Sequence, residues 1–237
     1  MNPLVVFFHI DKTGGTTVCD YLARQFPQEQ IKPVPIGKAQ DLVGIAPTTY
    51  GDLYAANRKF SILPGQRLIM GHYDTGILDY LLCDVITMTV LREPVARVVS
   101  LYRYVEAHDE LYGNLSLDAR RLGLEGWLRR YVDLWDNAMT KQLAGVRWST
   151  GHQEVDERVY QMAVDRLKAI DYVGITKHLP IFLEKVASGM GWDAPEPKRL
   201  NATLSLNHPI IDEGTMAFIE AHTKYDTRLY QVAESYD

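Results

Sequence analysis

The sequence predicts an α/β fold: a single domain over residues 1–237 with a mostly parallel central sheet flanked by helices and a helical insertion. Three observations carry this. Short apolar runs rich in β-branched residues (PLVVFF at 3–8, VITMTVL at 85–91, DYVGIT at 171–176) alternate with stretches of helical periodicity. Polar, glycine- or proline-marked segments follow those runs directly, as tight strand-to-helix connections do. A chain of 237 residues that is 46% hydrophobic is also long and apolar enough to bury a sizeable core.

The elements follow in order. PLVVFF lacks alternation, which suits a strand buried on both faces. After HIDKTGGTT, the residues Val18, Tyr21, Leu22 and Phe26 recur at helical spacing until Pro27 ends the helix. The opening MNPLVVFFHIDK has no basic n-region, and its apolar run is too short for a signal peptide or a membrane span. Residues 28–66 are irregular and punctuated by proline and glycine; a loop this long is expected to line a binding cleft. QRLIMGH predicts a second strand ending near Gly71, and VITMTVL a third. The helix after it starts at Pro94 and shows an apolar face of Val95, Val98, Val99, Tyr102 and Val105. Residues 115–170 are expected to be helical throughout, and Tyr102, Tyr104, Tyr131 and Trp135, spaced for helix burial, are expected in the core. DYVGIT predicts another strand, PIFLEKVASGM a helix, and residues 212–234 one final helix.

Composition narrows the function classes. Lys plus Arg number 25 and Asp plus Glu 30, a formal charge of −5, so no global basic field draws nucleic acid or anionic membrane to the chain. Cys19 and Cys83 stand alone without CxxC spacing, which indicates neither a zinc site nor a disulfide framework. A reducing, cytoplasmic setting is the expectation. No repeat or low-complexity tract is present.

In parallel sheets ligands sit beyond the carboxyl ends of the strands. Three polar clusters fall there: HIDKTGGTT, GHYDTG and REPVARVVS. In the first, Gly14 and Gly15 let backbone N–H groups approach an oxyanion, and the next helix adds its free N–H groups and dipole. Thr13, Thr16 and Thr17 add hydroxyls, and Lys12 a mobile charge. A glycine-containing turn with a threonine cap is the bland alternative, and the lysine and threonines weigh against it. The triphosphatase loop GxxxxGK[ST] is not matched, because lysine here precedes both glycines. Arg92 stands where a metal-binding strand-end acid is wanted, so the expected site neutralises phosphate with cationic side chains and holds no metal.

HIDKTGGTT followed by LREPVARVVSLYRY resembles the sulfotransferases that use 3′-phosphoadenosine 5′-phosphosulfate (PAPS), above all the carbohydrate branch with heparan sulfate 2-O-sulfotransferase. NAMTKQLAG, DYVGIT and DTRLYQVA extend the likeness over most of the chain. It implies the P-loop-like sulfotransferase fold, with the first motif gripping the 5′-phosphosulfate and Arg92 and Ser100 holding the 3′-phosphate. Asp11 departs from the pattern, since the family more often has proline there; an acid beside Lys12 lessens the local positive potential unless it points elsewhere.

Sulfuryl transfer needs positioning, charge stabilisation and a base. Lys12 is expected to stabilise the leaving phosphate. His72, at the end of the second strand and in a Gly-His context like that of the family's catalytic histidine, is the expected base. Asp74 is a candidate to orient His72 or bind an acceptor hydroxyl, with turn capping as its ordinary role. Glu93 is the second candidate base, though a carboxylate at a helix start ordinarily serves the dipole. His9 is expected to brace the loop. Lys198 and Arg199 are candidate nucleotide contacts by resemblance; as residues alone they form a solvated basic pair. The expected acceptor is a hydroxyl on a carbohydrate or glycosylated small molecule. Two rival functions stay open: a nucleotide or phosphosugar kinase, and a catalytically silent module that binds 3′-phosphoadenosine 5′-phosphate (PAP).

Overall fold

The computed structural model describes residues 3–32, 64–147, 154–195 and 211–236. Four strands, β1 (Leu4–Phe8), β2 (Leu68–Gly71), β3 (Val85–Leu91) and β4 (Tyr172–Ile175), form one all-parallel sheet in the order β2-β1-β3-β4. The helices that matter to the site and core are α1 (Gly15–Ala23), α2 (Pro94–Ala107), α3 (Asn114–Arg130), α4 (Ala138–Leu143), α5 (Glu157–Ala169), α6 (Leu179–Met190), α7 (Glu213–His222) and α8 (Lys224–Glu234).

Alternation along the central strand sorts the helices into two layers. Leu4, Val6 and Phe8 point into one apolar cluster with Leu167 of α5 and Leu229 of α8. Val5 and Phe7 point into the other, with Leu22 of α1 and Phe182 of α6. Both faces of β1 are therefore covered, which is why PLVVFF is continuously apolar. A third cluster joins Val98 and Tyr102 of α2 to Trp127 of α3, Trp135 and Ile219 of α7. This is the helical insertion, docked beside the sheet.

Two expectations need correction. The final helix is not continuous: Thr223 (φ −121°) separates α7 from α8. There Asn137 Oδ1 accepts from the N–H groups of Tyr225 (2.9 Å) and Asp226 (3.1 Å), replacing the partners an unbroken helix would give them. Nor is the middle helical throughout, since Gly123 (φ 68°) kinks α3 and Asn137 takes a left-handed conformation (φ 40°) before α4.

The register brings the carboxyl ends together: Phe8 lies opposite Gly71 of β2 and Thr89 of β3, and Leu91 opposite Ile175 of β4. From β1 the chain passes to β2 on one side, and from β3 to β4 on the other. Strand order thus reverses between β1 and β3, which opens a crevice at their carboxyl ends. All three polar clusters issue at this edge.

Candidate functional site

The connection from β1 to α1 is built by two left-handed residues, Lys12 (φ 66°) and Gly14 (φ 89°). Glycine carries the second without strain, whereas lysine pays a steric cost that functional loops tolerate. Gly15 is required for a different reason. A Cβ there would lie 1.9 Å from Cδ2 of His9. The N–H groups of Gly15 and Thr16 open α1 and have no intrahelical acceptor, so the turn presents donors at its mouth. Thr16 is exposed and Thr17 half-buried. Thr13 plays another part: it is fully buried, and its hydroxyl donates to the Ile10 carbonyl (2.9 Å). Thr176, just past β4, ties the turn from outside, its hydroxyl lying 2.7 Å from the Thr13 carbonyl and 3.0 Å from that of Leu91.

Cations gather around this turn. Arg92 Nη1 donates to the Lys12 carbonyl (3.0 Å), joining the end of β3 to the loop after β1. Burial depresses its guanidinium, against the opposing carboxylate of Glu93. Lys12 Nζ sits 3.5 Å above the centre of the Tyr104 ring. Its ammonium is pulled down to about 8, chiefly by burial; Asp11 opposes the shift and Arg92 adds to it. Tyr104 is thus no core residue: it is half-buried and carries the lysine. Ser100 is one helical turn before Tyr104 on α2, so the two share a face, and Ser100 is likewise half-buried. Glu93 caps α2, accepting from Val95 N–H (2.9 Å) and Ala96 N–H (2.7 Å).

His72 follows β2 and leans on the same loop. Its ring stacks on that of His9, with centroids 4.3 Å apart and planes 29° from parallel. Nδ1 is 2.8 Å from the His9 carbonyl oxygen and 3.2 Å from Asp11 Oδ1. Both neighbours can only accept when Asp11 is ionised, so Nδ1 carries the proton. In the neutral ring the lone pair is then on Nε2. Asp11 is ionised: burial pushes its carboxyl upward, but the His72 and Arg147 charges outweigh this and hold it well below the usual carboxylate range. His9 is buried, and that burial, reinforced by His72, holds its imidazole neutral at pH 7. Asp74 caps the turn Thr75–Tyr80 by accepting from Gly76 N–H (2.9 Å).

Two residues with no role in the sequence argument organise the site. Gln142 of α4, fully buried, donates from Nε2 to the carbonyls of His9 (3.0 Å) and Tyr73 (2.9 Å), clamping the loops after β1 and β2 together. Arg147 donates from Nη1 to Gln142 Oε1 and from Nη2 to Asp11 Oδ2. The position of α4 is in turn fixed by Asp226 of α8, which accepts from Thr140 N–H (2.7 Å) and faces the buried Arg97 (3.9 Å). The one hint in the sequence was a glutamine set between Met139 and Leu143 in an apolar helical pattern.

The edge of the sheet therefore collects Lys12, Arg92, Arg147 and a helix N-terminus around the ionised carboxylate of Asp11, in a chain of net charge −5. Such a concentration suits an anion. Lys198 and Arg199 lie outside the described residues. Among the described residues there is no grouping of three or more His, Cys, Asp or Glu able to hold a metal ion, and no helix long and apolar enough to cross a membrane. No protein-family model matches the chain, and no curated protein matches it either.

Proposed function

We propose that the chain transfers a sulfuryl group from PAPS to a hydroxyl of a carbohydrate or glycosylated small molecule. One observation supports this above the rest: the anion-suited loop after β1 supports a cation and a base at once, through Arg92 on the Lys12 carbonyl and His72 on the His9 carbonyl. A purely binding loop has no need of a histidine seated on its own backbone.

The donor set fits a phosphosulfate. The N–H groups at the start of α1, with Thr16 and Thr17, suit its 5′ end, and Arg92 with Ser100 its 3′-phosphate. PAPS supplies the sulfuryl group and PAP departs. His72 Nε2 takes the acceptor's proton as the new oxygen–sulfur bond forms. Lys12 offsets the charge gathering on the phosphate as the old bond breaks, a part for which its place between the loop and Arg92 is suited. The protein supplies the cations that a triphosphatase draws from its metal. A cytoplasmic setting accords with the two free cysteines, Cys19 buried and Cys83 exposed.

The test is a thermal-shift comparison of PAP, PAPS, ATP and NAD, followed by a panel of hydroxyl acceptors with PAPS. PAP and PAPS should raise Tm by mass action, and His72→Gln should abolish turnover while sparing that shift. Stabilisation by ATP with Mg²⁺ and none by PAP would support a kinase instead. PAP binding with no turnover by any acceptor, unchanged in His72→Gln, would support a silent module.

A further inference from the structure

The geometry points to Asp11 as the positioning residue of His72: its carboxylate and the His9 carbonyl together fix the ring with the proton on Nδ1, and Arg147 fixes the carboxylate. This rests on the reading of His72 as a base. The assignment differs from the expectation for Asp11, which was that an acid beside Lys12 weakens the local field. Asp74, a candidate for that part or for turn capping, caps its own turn.

Asp11 has two carboxylate oxygens and gives each to one partner: Oδ1 to His72 Nδ1 at 3.2 Å and Oδ2 to Arg147 Nη2. A carboxylate held from one side by a guanidinium cannot swing away from the imidazole on the other. Arg147 is itself held by Gln142, which binds the His9 carbonyl, the second acceptor of the same Nδ1–H. Both acceptors are thus referred to one side chain of α4.

Charge follows the same plan. When His72 takes a proton its ring becomes cationic. Among the described residues, Asp11 lies against it and His9 stacks on it, with Lys12 and Arg147 acting on that His9–Asp11 pair from behind. Arg147 is engaged by Asp11, and Lys12 is turned onto Tyr104. His9 is buried and neutral, so it offers a π face instead of a repelling charge. Asp11 is left as the anion in contact with the imidazolium, the arrangement by which an acid beside a histidine fixes its tautomer and stabilises its protonated form.

The test uses the full chain labelled with ¹⁵N in its histidines, with the His72 resonances assigned by their loss in His72→Gln. The unsubstituted protein should show the Nδ1-protonated tautomer and a slowly exchanging, downfield Nδ1 proton. Asp11→Asn should shift that proton upfield and speed its exchange, and Asp11→Glu should restore part of the effect. An Nε2-protonated ring in the unsubstituted protein, or a proton signal indifferent to Asp11→Asn, overturns the proposal. The first of these needs only the assignment variant, His72→Gln, to fold, and no change at Asp11.

Turnover supplies the second readout. Asp11→Asn should lower kcat about 10-fold or more with KM for PAPS little changed, and Asp11→Glu should recover part of the lost kcat. A rise in KM for PAPS with kcat intact would assign Asp11 to the phosphate loop and overturn the proposal. The tautomer measurement stands apart from the sulfuryl-transfer reading: a failure to find any acceptor bears on that reading alone.

Discussion

Arg92 Nη1 donates to the carbonyl of Lys12 across the β1–β3 crevice at 3.0 Å, so the end of one strand holds in place the lysine that follows another. Two cations kept this close repel each other, and Arg92 is one reason the Lys12 ammonium falls to about 8, after burial and against the pull of Asp11. An anion bound between them would relieve that repulsion.

Affinity for PAP should therefore depend on pH through Lys12. The protonated lysine is the form that binds phosphate, so the association constant should fall as pH rises through about 8. Calorimetry from pH 6.5 to 9.5 would record it. In Lys12→Met the constant should be lower at neutral pH and its dependence over that window flat.

The same lysine should burden the free fold. Its folded value of about 8 lies below the ordinary 10.5. Between these the unfolded chain holds the extra proton, so stability from this group rises with pH across that window. At pH 7 the charged lysine opposes folding, and Lys12→Met should raise Tm by about 2 °C or more while weakening PAP binding. A lower Tm in the variant would mean that the contact with Tyr104 outweighs the burial.

Gly15→Ala should destabilise the protein by about 1–3 kcal/mol, because the added Cβ falls on the His9 ring. The cause is checkable by a double-mutant cycle in urea. Removing the ring in His9→Ala should absorb most of the penalty, making Gly15→Ala nearly neutral in that background. Additive costs would refute the collision as the source.

Gln142→Leu removes the donors that join the His9 and Tyr73 carbonyls and the acceptor of Arg147. Burying those groups without partners should cost about 1–3 kcal/mol in chemical denaturation. Turnover should fall further than the loss of folded protein explains, since His72 leans on the same His9 carbonyl.

Much of the fold was legible because strands and helices announce themselves locally. VITMTVL became β3 residue for residue, and the double coverage of β1 is visible in PLVVFF. The three loops meet at one edge because parallel strands leave them no alternative. What escaped was contact between distant segments. Asn137 breaks the last helix from about 88 residues away in the chain, and no local pattern near Thr223 signals it. Gln142 and Arg147 likewise act on His9 and Asp11 from a stretch that reads as ordinary helix. Asp74, close to His72 in sequence, is legible as a turn cap, whereas the contact of Asp11 with the His72 ring joins two strand ends far apart in the chain.

The central claim is that this edge receives a nucleotide bearing both a 5′ and a 3′ anion. Its most direct test is calorimetric titration of PAP against AMP, without added metal, on the unsubstituted chain and on Arg92→Ala. The account predicts one PAP per chain, bound at least about 10-fold more tightly than AMP, with that preference lost in Arg92→Ala. Equal affinity for PAP and AMP, or a preference that survives Arg92→Ala, would contradict it.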